Sequence, residues 1–173
     1  MSKEVIILGS ARSNGDTRQF IDHVVSKQAM DIIDLKPLNI SHFDYEYKNA
    51  NDDFLTLITK VISNYDTVIL ATPIYWYTMS GIMKMFLDRI SDLLYHHKDL
   101  GRQLRGKSLG VISSTNYSEA SETFEVPFRE TAKYLGMNYV GHCHGLIKEG
   151  KIEVEIEKRI EKFLVSVNDK TLV

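Results

Sequence analysis

Two patterns of hydrophobic and polar residues alternate along the chain. Short continuous apolar runs, rich in valine and isoleucine, predict strands that are buried on both faces. Longer segments in which apolar residues recur every three or four positions predict amphipathic helices. The predicted strands span residues 3–9, 30–35, 67–71, 107–113 and 137–143. The predicted helices span residues 17–28, 54–65, 81–94, 119–135 and 152–167.

Several boundaries follow from single residues. Asp52 or Asp53 is expected to cap the second helix, and Gly136 is expected to end the fourth. Residues 152–156 also alternate as a strand would, but the helical spacing continues to Val167 and is the longer pattern. Residues 36–51 are irregular, which is long for a connection in an α/β protein and indicates a functional loop.

Strands that alternate with helices predict a parallel sheet with right-handed crossovers and with helices on both faces. We expect a three-layer α/β sandwich whose five strands lie in the order 2-1-3-4-5. The first and third strands are then neighbours, and the loops after their carboxyl ends meet where ligands bind in such sheets. Because no repeat, linker or low-complexity tract interrupts the pattern, residues 1–173 are expected to form one domain.

Composition and charge narrow the class of protein. Of the 173 residues 43% are hydrophobic and 25% are charged, and the formal net charge is −2. Binding to nucleic acid or to an acidic membrane surface needs a basic face, so neither partner is expected. Cys143 is the only cysteine, which excludes a disulfide, a cysteine-ligated zinc site and an iron–sulfur cluster within one chain. The apolar run of residues 5–9 is too short for a signal peptide, so the cytoplasm is the expected location.

The sequence GSARSNGDT, residues 9–17, follows the first predicted strand and opens the first helix. Backbone N–H groups at a helix N-terminus bind anions. Side chains of this segment add further donors, and one glycine allows a tight turn: Ser10, Arg12, Ser13, Asn14, Gly15 and Thr17. Helix capping alone would not require an arginine and so many donors, so a phosphate site is favoured over a simple cap.

Two better-known phosphate motifs do not account for this chain. The sequence has no G-x-G-x-x-G after a strand, which leaves a dinucleotide site of that kind unsupported. Residues 101–108 match G-x-x-x-x-G-K-[ST] literally. They follow a predicted helix and lead into a strand, the reverse of a true phosphate loop, so we interpret the match as a coincidence.

The loop predicted after the third strand carries an aromatic cluster. Pro73 and Ile74 precede Tyr75, Trp76 and Tyr77. Three aromatic side chains beside a proline are suited to flank a flat, conjugated ring. Packing in a lid or at a subunit interface is the alternative.

The two loops together resemble those of the NAD(P)H-dependent FMN reductase family of flavodoxin-like proteins. The shared pattern is G-S-x-R-x-x-x-x-T followed by P-x-Y-x-x-x-x-x-G-x-x-K-x-x-x-D-R. Ten residues carry it here: Gly9, Ser10, Arg12, Thr17, Pro73, Tyr75, Gly81, Lys84, Asp88 and Arg89. The alternation of strands and helices extends the resemblance over nearly the whole chain.

The resemblance implies FMN as the cofactor and assigns three groups of contacts, with no catalytic side chain. The phosphate would be held by Ser10, Arg12 and Thr17, helped through loop position by Ser13, Asn14 and Gly15. The isoalloxazine would be bordered by Pro73, Ile74, Tyr75 and Trp76. The loop after the fourth strand would supply polar contacts to the ring edge from Ser114, Thr115, Asn116 and Tyr117.

The resemblance also implies an oxidoreductase that passes hydride from NADPH or NADH through FMN to a second acceptor. A quinone, another small oxidant or flavin itself would serve, and the preferred nicotinamide stays open. A flavodoxin-type carrier is one alternative, although it usually has a T-x-T-G-x-T loop and a strongly acidic surface, which this chain lacks. A flavin-free regulatory domain on the same fold is the other.

Three further features lead to expectations. The third helix is apolar over more than one stripe, which indicates a homodimer, with a dimer of dimers left open; burial under residues 36–51 is the alternative. Asp88 and Arg89 are expected to form a local ion pair. His142 and His144 lie on one side of the fifth strand, but no third ligand suggests a metal site.

Overall fold

The computed structural model describes residues 3–117, 119–147 and 151–169. The strands are β1 (Glu4–Leu8), β2 (Asp31–Asp34), β3 (Thr67–Tyr75), β4 (Thr78–Met79), β5 (Ser108–Ser114) and β6 (Asn138–His144). The α-helices are α1 (Asp16–Lys27), α2 (Phe54–Asn64), α3 (Gly81–Arg89), α4 (Ser91–Tyr95), α5 (Lys98–Arg102), α6 (Val126–Leu135) and α7 (Val154–Asn168). A short 3-10 helix, Glu122–Glu125, precedes α6.

The sheet has the predicted order. Its main strands are parallel and run β2-β1-β3-β5-β6, and β4 pairs antiparallel with β3 outside this path. The strands β5 and β6 are the predicted fourth and fifth strands, so the order 2-1-3-4-5 is confirmed. Val5, Ile6, Ile7 and Leu8 are all fully buried, which explains why β1 is continuously apolar.

Helices cover both faces of the sheet, as predicted. Val5 and Ile7 of β1 pack with Phe54 of α2 and Phe86 of α3 in one apolar cluster. Ile6 and Leu8, which point the other way, pack in a second cluster with the helices α1 and α7, represented there by Phe20 and Ile160. The structure is therefore the expected three-layer sandwich.

The third strand is longer than predicted. Pro73, Ile74 and Tyr75 belong to β3, not to a loop, because β4 pairs back onto its end with Ile74 opposite Met79. Only two residues, Trp76 and Tyr77, form the turn of this hairpin.

The third helix also differs from the prediction. It ends at Arg89, and α4 begins at Ser91. The expected pair between Asp88 and Arg89 is wrong, because Asp88 instead lies 2.6 Å from Lys84 Nζ. Arg89 turns inward to Asp52 and Asp92.

The other helix boundaries agree more closely with those predicted from the sequence. Helix α6 ends at Leu135, and Gly136 follows it as the predicted C-cap, with a φ of 70° as a left-handed cap requires. The C-terminal segment is helical, so the longer periodicity predicted it correctly. The N-cap of α2 is Asp53, whose side chain makes no capping hydrogen bond, and the preceding Asp52 accepts one from the Phe54 N–H at 3.0 Å. In the described part of the chain, no helix combines the length and apolar character needed to cross a membrane.

Candidate functional site

The loop after β1 and the β3–β4 hairpin lie side by side at the carboxyl edge of the sheet. The Gly9 N–H donates to the Ala71 carbonyl at 2.8 Å, and the Ser80 hydroxyl donates to the Gly9 carbonyl at 2.6 Å. A Cβ on Gly9 would lie 2.8 Å from the Cβ of Met83, so only glycine allows this close contact with α3. The predicted meeting of the two loops is therefore present.

The loop after β1 presents hydroxyls and backbone N–H groups at the start of α1. Ser10 and Thr17 are buried, and the Ser10 hydroxyl accepts a hydrogen bond from the Arg12 N–H at 3.2 Å. Gly15 is the N-cap of α1 and has no side chain to bond the first N–H groups of the helix. Those groups are thus available to an anion.

The remaining loop residues lie nearer to solvent. Ser13 is half-buried and Asn14 is exposed. Arg12 is also exposed, and its guanidinium lies 3.3 Å from the Asp16 carboxylate in a surface ion pair. Because exposed pairs contribute little, this guanidinium can exchange partners at low cost.

A cavity of about 740 Å³ opens between the hairpin and the loop after β5. This volume lies in the range of small-molecule sites. Eight residues line the cavity: Ile74, Trp76, Tyr77, Thr115, Tyr117, Glu119, Ala120 and Ser121. Aromatic side chains therefore face the cavity from the hairpin and from the opposite loop.

One side-chain contact joins the loop after β1 to the strand that leads into this cavity. Thr17 Oγ1 and Ser114 Oγ are 2.6 Å apart, and both residues are buried. Ser114 also pairs in register with Pro73 of β3. The predicted phosphate loop and the aromatic cavity are thus adjacent parts of one edge.

The predicted ring-contact residues fall into two groups. Four of them line the cavity: Ile74, Trp76, Thr115 and Tyr117. The other four do not line it: Pro73 and Ser114, which pair in β3 and β5, and Tyr75 and Asn116. Tyr77, named in the aromatic cluster but not assigned to the ring, also lines the cavity, and three lining residues were not predicted: Glu119, Ala120 and Ser121. They lay in a segment predicted as helix, but the first helical turn begins only at Glu122.

The turn of the hairpin is strained. Trp76 and Tyr77 have φ values of 49° and 68°, the pattern of a type I′ turn, which favours asparagine and glycine. Their side chains are 92% and 74% exposed, so burial does not stabilise this conformation. Strained, exposed residues of this kind are concentrated at binding sites.

Below the cavity, Ser113 lies between His142 and His144, with its Oγ 2.6 Å from His142 Nε2 and 2.8 Å from His144 Nδ1. Burial lowers the pKa of both histidines, that of His142 to about 4. Among the residues that the structure describes, no three His, Cys, Asp or Glu side chains are grouped as a metal site would require.

A phosphate-type loop and an aromatic cavity at the switch point of a doubly wound sheet define a flavin-nucleotide-binding α/β protein. The sequence matches the NADPH-dependent FMN reductase family over residues 2–151. The chain therefore belongs to this family, and the predicted class, an FMN-dependent NAD(P)H oxidoreductase, is confirmed. FMN as cofactor and NADPH or NADH as co-substrate are confirmed with it.

Similar proteins agree with this assignment. YwqN of Bacillus subtilis, whose provisional name is NAD(P)H-dependent FMN-containing oxidoreductase, is 27% identical over 83% of this chain and 84% of its own. An iron–sulfur flavoprotein of Clostridioides difficile is 27% identical over 95% of this chain and 79% of its own. The structure of general stress protein 14 from Treponema denticola in complex with FMN superposes with a TM-score of 0.63, at 19% identity, over 98% and 99% of the two chains. At that identity the structural likeness supports the fold.

The residues of the site fit FMN. The hydroxyls of Ser10 and Thr17 lie beside the uncapped start of α1, which is the donor set that a phosphate needs. The cavity next to them is wide and bordered by aromatic side chains, as a flat ring system requires. The clostridial relative is named an iron–sulfur flavoprotein, whereas this chain contains one cysteine and has no set of cysteine ligands for a cluster.

Proposed function

We propose that the protein reduces a small planar acceptor in the cavity between the hairpin and the loop after β5. The contact between Thr17 and Ser114 carries this proposal, because it joins the anion-binding loop to the cavity. FMN, when bound, accepts hydride from NAD(P)H and passes it on. The volume of about 740 Å³ and its aromatic borders are suited to a ring system. Quinones, nitro compounds and azo compounds are acceptors of this shape.

In this proposal the protein binds and orients FMN and the acceptor, and no side chain transfers a proton. Ser10, Thr17 and the first N–H groups of α1 hold the phosphate, with Ser13, Asn14 and Gly15 shaping the loop. Arg12 leaves its surface pair with Asp16 to add a charge. Two walls hold the ring and exclude water: Ile74 and Trp76 form one, and Thr115 and Tyr117 form the other. Pro73 and Ser114 fix the positions of these two walls.

FMN titration of the purified apoprotein tests the proposal. Trp76 is the only tryptophan and lines the cavity, so bound FMN is expected to quench its fluorescence. Anaerobic addition of NADPH or NADH is then expected to bleach the flavin absorbance, and an acceptor is expected to restore it.

The phosphate contacts are tested by Ser10→Ala and Thr17→Ala. Each variant is expected to weaken FMN binding about tenfold, because one hydrogen bond to a charged group is lost. Ser26→Ala is the matched control, since that hydroxyl bonds only a carbonyl of its own helix, His23 at 2.7 Å, on the exposed surface. No quenching of wild-type Trp76 at saturating FMN would contradict the proposal.

We further propose a homodimer formed through α3 and α4. Five apolar residues in these helices or between them are only partly buried: Ile82, Met85, Leu87, Ile90 and Leu94. Residues 36–51 contact these helices at two other places: Arg89 of α3 donates to the Ser41 carbonyl at 3.2 Å, and the ring of Tyr95 of α4 lies 6.2 Å from that of Phe43. Three further expectations remain predictions: a dimer of dimers, a single domain over residues 1–173, and a cytoplasmic location.

A further inference from the structure

Buried polar side chains form a hydrogen-bonded chain that ends at the cavity wall. Ser113 Oγ contacts His142 Nε2 at 2.6 Å and His144 Nδ1 at 2.8 Å. At the far side, His144 Nε2 lies 3.1 Å from the carbonyl oxygen of Tyr117, which lines the cavity. His142 is the other end of the hydrogen-bonded chain, and its Nδ1 lies 3.4 Å from the Glu125 carboxylate.

Sheet register places these groups together. Ser113 of β5 pairs with His144 of β6. His142 lies two residues earlier, so it projects from the same face of β6. Tyr117 then follows β5 by three residues, close enough for its carbonyl to meet His144. The hydrogen-bonded chain therefore connects the ends of β5 and β6 to the loop after β5.

The hydrogen bonds of this chain can run in only one direction. A carbonyl oxygen only accepts, so His144 must carry its proton on Nε2 to bond Tyr117. A neutral imidazole has one proton, so His144 Nδ1 accepts from the Ser113 hydroxyl. The Ser113 oxygen then accepts from His142 Nε2. Burial, which lowers the pKa of both histidines, keeps each imidazole neutral, in agreement with this assignment. His142 Nδ1 then carries no proton, so its contact with the Glu125 carboxylate is not a hydrogen bond and the hydrogen-bonded chain ends at His142.

A nucleophilic role for Ser113 is excluded by its burial. Serine, histidine and glutamate follow one another here as they do in hydrolytic triads. Ser113, however, is 0% exposed within β5, and its oxygen is flanked by two imidazoles. A substrate carbonyl cannot reach that oxygen. The end of the hydrogen-bonded chain that lies at the cavity is the carbonyl of Tyr117.

We infer that His144 is a positioning residue, which holds the loop after β5 against the cavity through the Tyr117 carbonyl. Ser113 and His142 keep the His144 imidazole in the tautomer that this bond requires. The inference rests on the proposed function, because the loop matters for activity only if the cavity binds FMN and the acceptor. The expected consequence is an effect on binding, with little effect on the chemical step.

Two substitutions at one position separate this role from general packing. In His144→Asn the amide reaches the position of Nδ1 and can bond Ser113, but it does not reach Tyr117. In His144→Gln the longer side chain places an amide N–H near the position of Nε2 and keeps the donor to Tyr117. Only the asparagine variant is expected to release the loop.

For His144→Asn we expect the Kd for FMN and the KM for menadione, the probe quinone, to rise about tenfold each. The kcat at saturating FMN and menadione should change less than threefold. His144→Gln should stay within threefold of wild type in all three quantities. Amide hydrogen exchange at residues 115–117 and 119–121 should accelerate in the asparagine variant and not in the glutamine variant.

His23→Asn is the matched control, because His23 pairs with Glu157 of α7 at 2.8 Å and does not line the cavity. If His144→Asn fails to fold, Ser113→Ala replaces it: His144 can then adopt either tautomer, and faster exchange in the same loop is expected. Unchanged exchange and unchanged Kd in the folded variant would overturn the inference. Failure of wild type to bind FMN would instead refute the proposed function, while the exchange comparison would still decide the role of His144.

Discussion

Arg89 is fully buried, with 1% of its surface exposed, and is the largest side chain so enclosed in the described residues. Its Nε lies 2.8 Å from Asp92, another nitrogen contacts Asp52, and its guanidinium lies 4.8 Å from the centre of the Phe54 ring. It also donates to the Ser41 carbonyl at 3.2 Å, so it ties residues 36–51 to α3 and α4. A buried charge stays stable only with its partners present.

Asp52→Asn is expected to lower the free energy of unfolding at pH 7 by about 3 kcal/mol, because it leaves Arg89 with one carboxylate. Burial alone would raise the pKa of Asp52, but hydrogen bonds from Arg89, Ser41 and Phe54 outweigh it and hold the pKa below its ordinary value. The contribution of ionised Asp52 is therefore complete above the unfolded pKa, near 4, and is lost as pH falls through the folded pKa.

Urea unfolding at pH 7 and at pH 3 measures this difference. The gap between wild type and Asp52→Asn should narrow at the lower pH. Asp88→Asn, which removes an exposed partner of Lys84, is the control and should cost less than about 1 kcal/mol. A gap that widens on acidification would contradict the assignment.

At the scale of elements, the β3–β4 hairpin combines strain with exposure. Trp76 and Tyr77 occupy left-handed conformations that favour asparagine and glycine. The double variant Trp76→Asn/Tyr77→Gly is therefore expected to raise the free energy of unfolding by about 1–2 kcal/mol. It should also weaken FMN and menadione binding, because it removes two aromatic borders of the cavity.

Chemical denaturation and flavin fluorescence measure the two effects. The matched control is Trp76→Phe/Tyr77→Phe, which keeps both the aromatic rings and the strained backbone and should give neither the gain in stability nor the loss of binding. A hairpin variant that binds FMN as wild type does would show that these rings serve another purpose.

For the whole molecule, the proposed dimer is the main prediction. A cavity of about 350 Å³ lies beside the partly buried face of α3 and α4, lined in part by Leu87, Ile90, Leu94 and Tyr134. Ile90→Glu would place an unpaired charge in the proposed interface, and we expect the dissociation constant of the dimer to rise about a hundredfold. Light scattering across a concentration series measures this change.

Val165→Glu on the exposed face of α7 is the control and should leave the dissociation constant unchanged. A wild-type protein that stays monomeric throughout the series would contradict the dimer.

The strands, most helices and their order in the sheet could be predicted from the sequence alone, as could the position of the loop after β1 beside the β3–β4 segment. These features depend on local periodicity and on the order of segments along the chain, both of which can be read from the sequence. Gly136 could be assigned as a helix end for the same reason, because a left-handed cap needs only its neighbours.

Four features depend on the tertiary structure and could not be predicted: the partners of Arg89, the β3–β4 hairpin, the lining of the cavity by Glu119, Ala120 and Ser121, and the hydrogen-bonded chain through Ser113 and His144. Arg89 finds Asp52 across 37 positions of sequence, and Ser113 finds His144 across 31. Such pairs are set by strand register and by packing of distant segments, and periodicity within one segment carries no information about either.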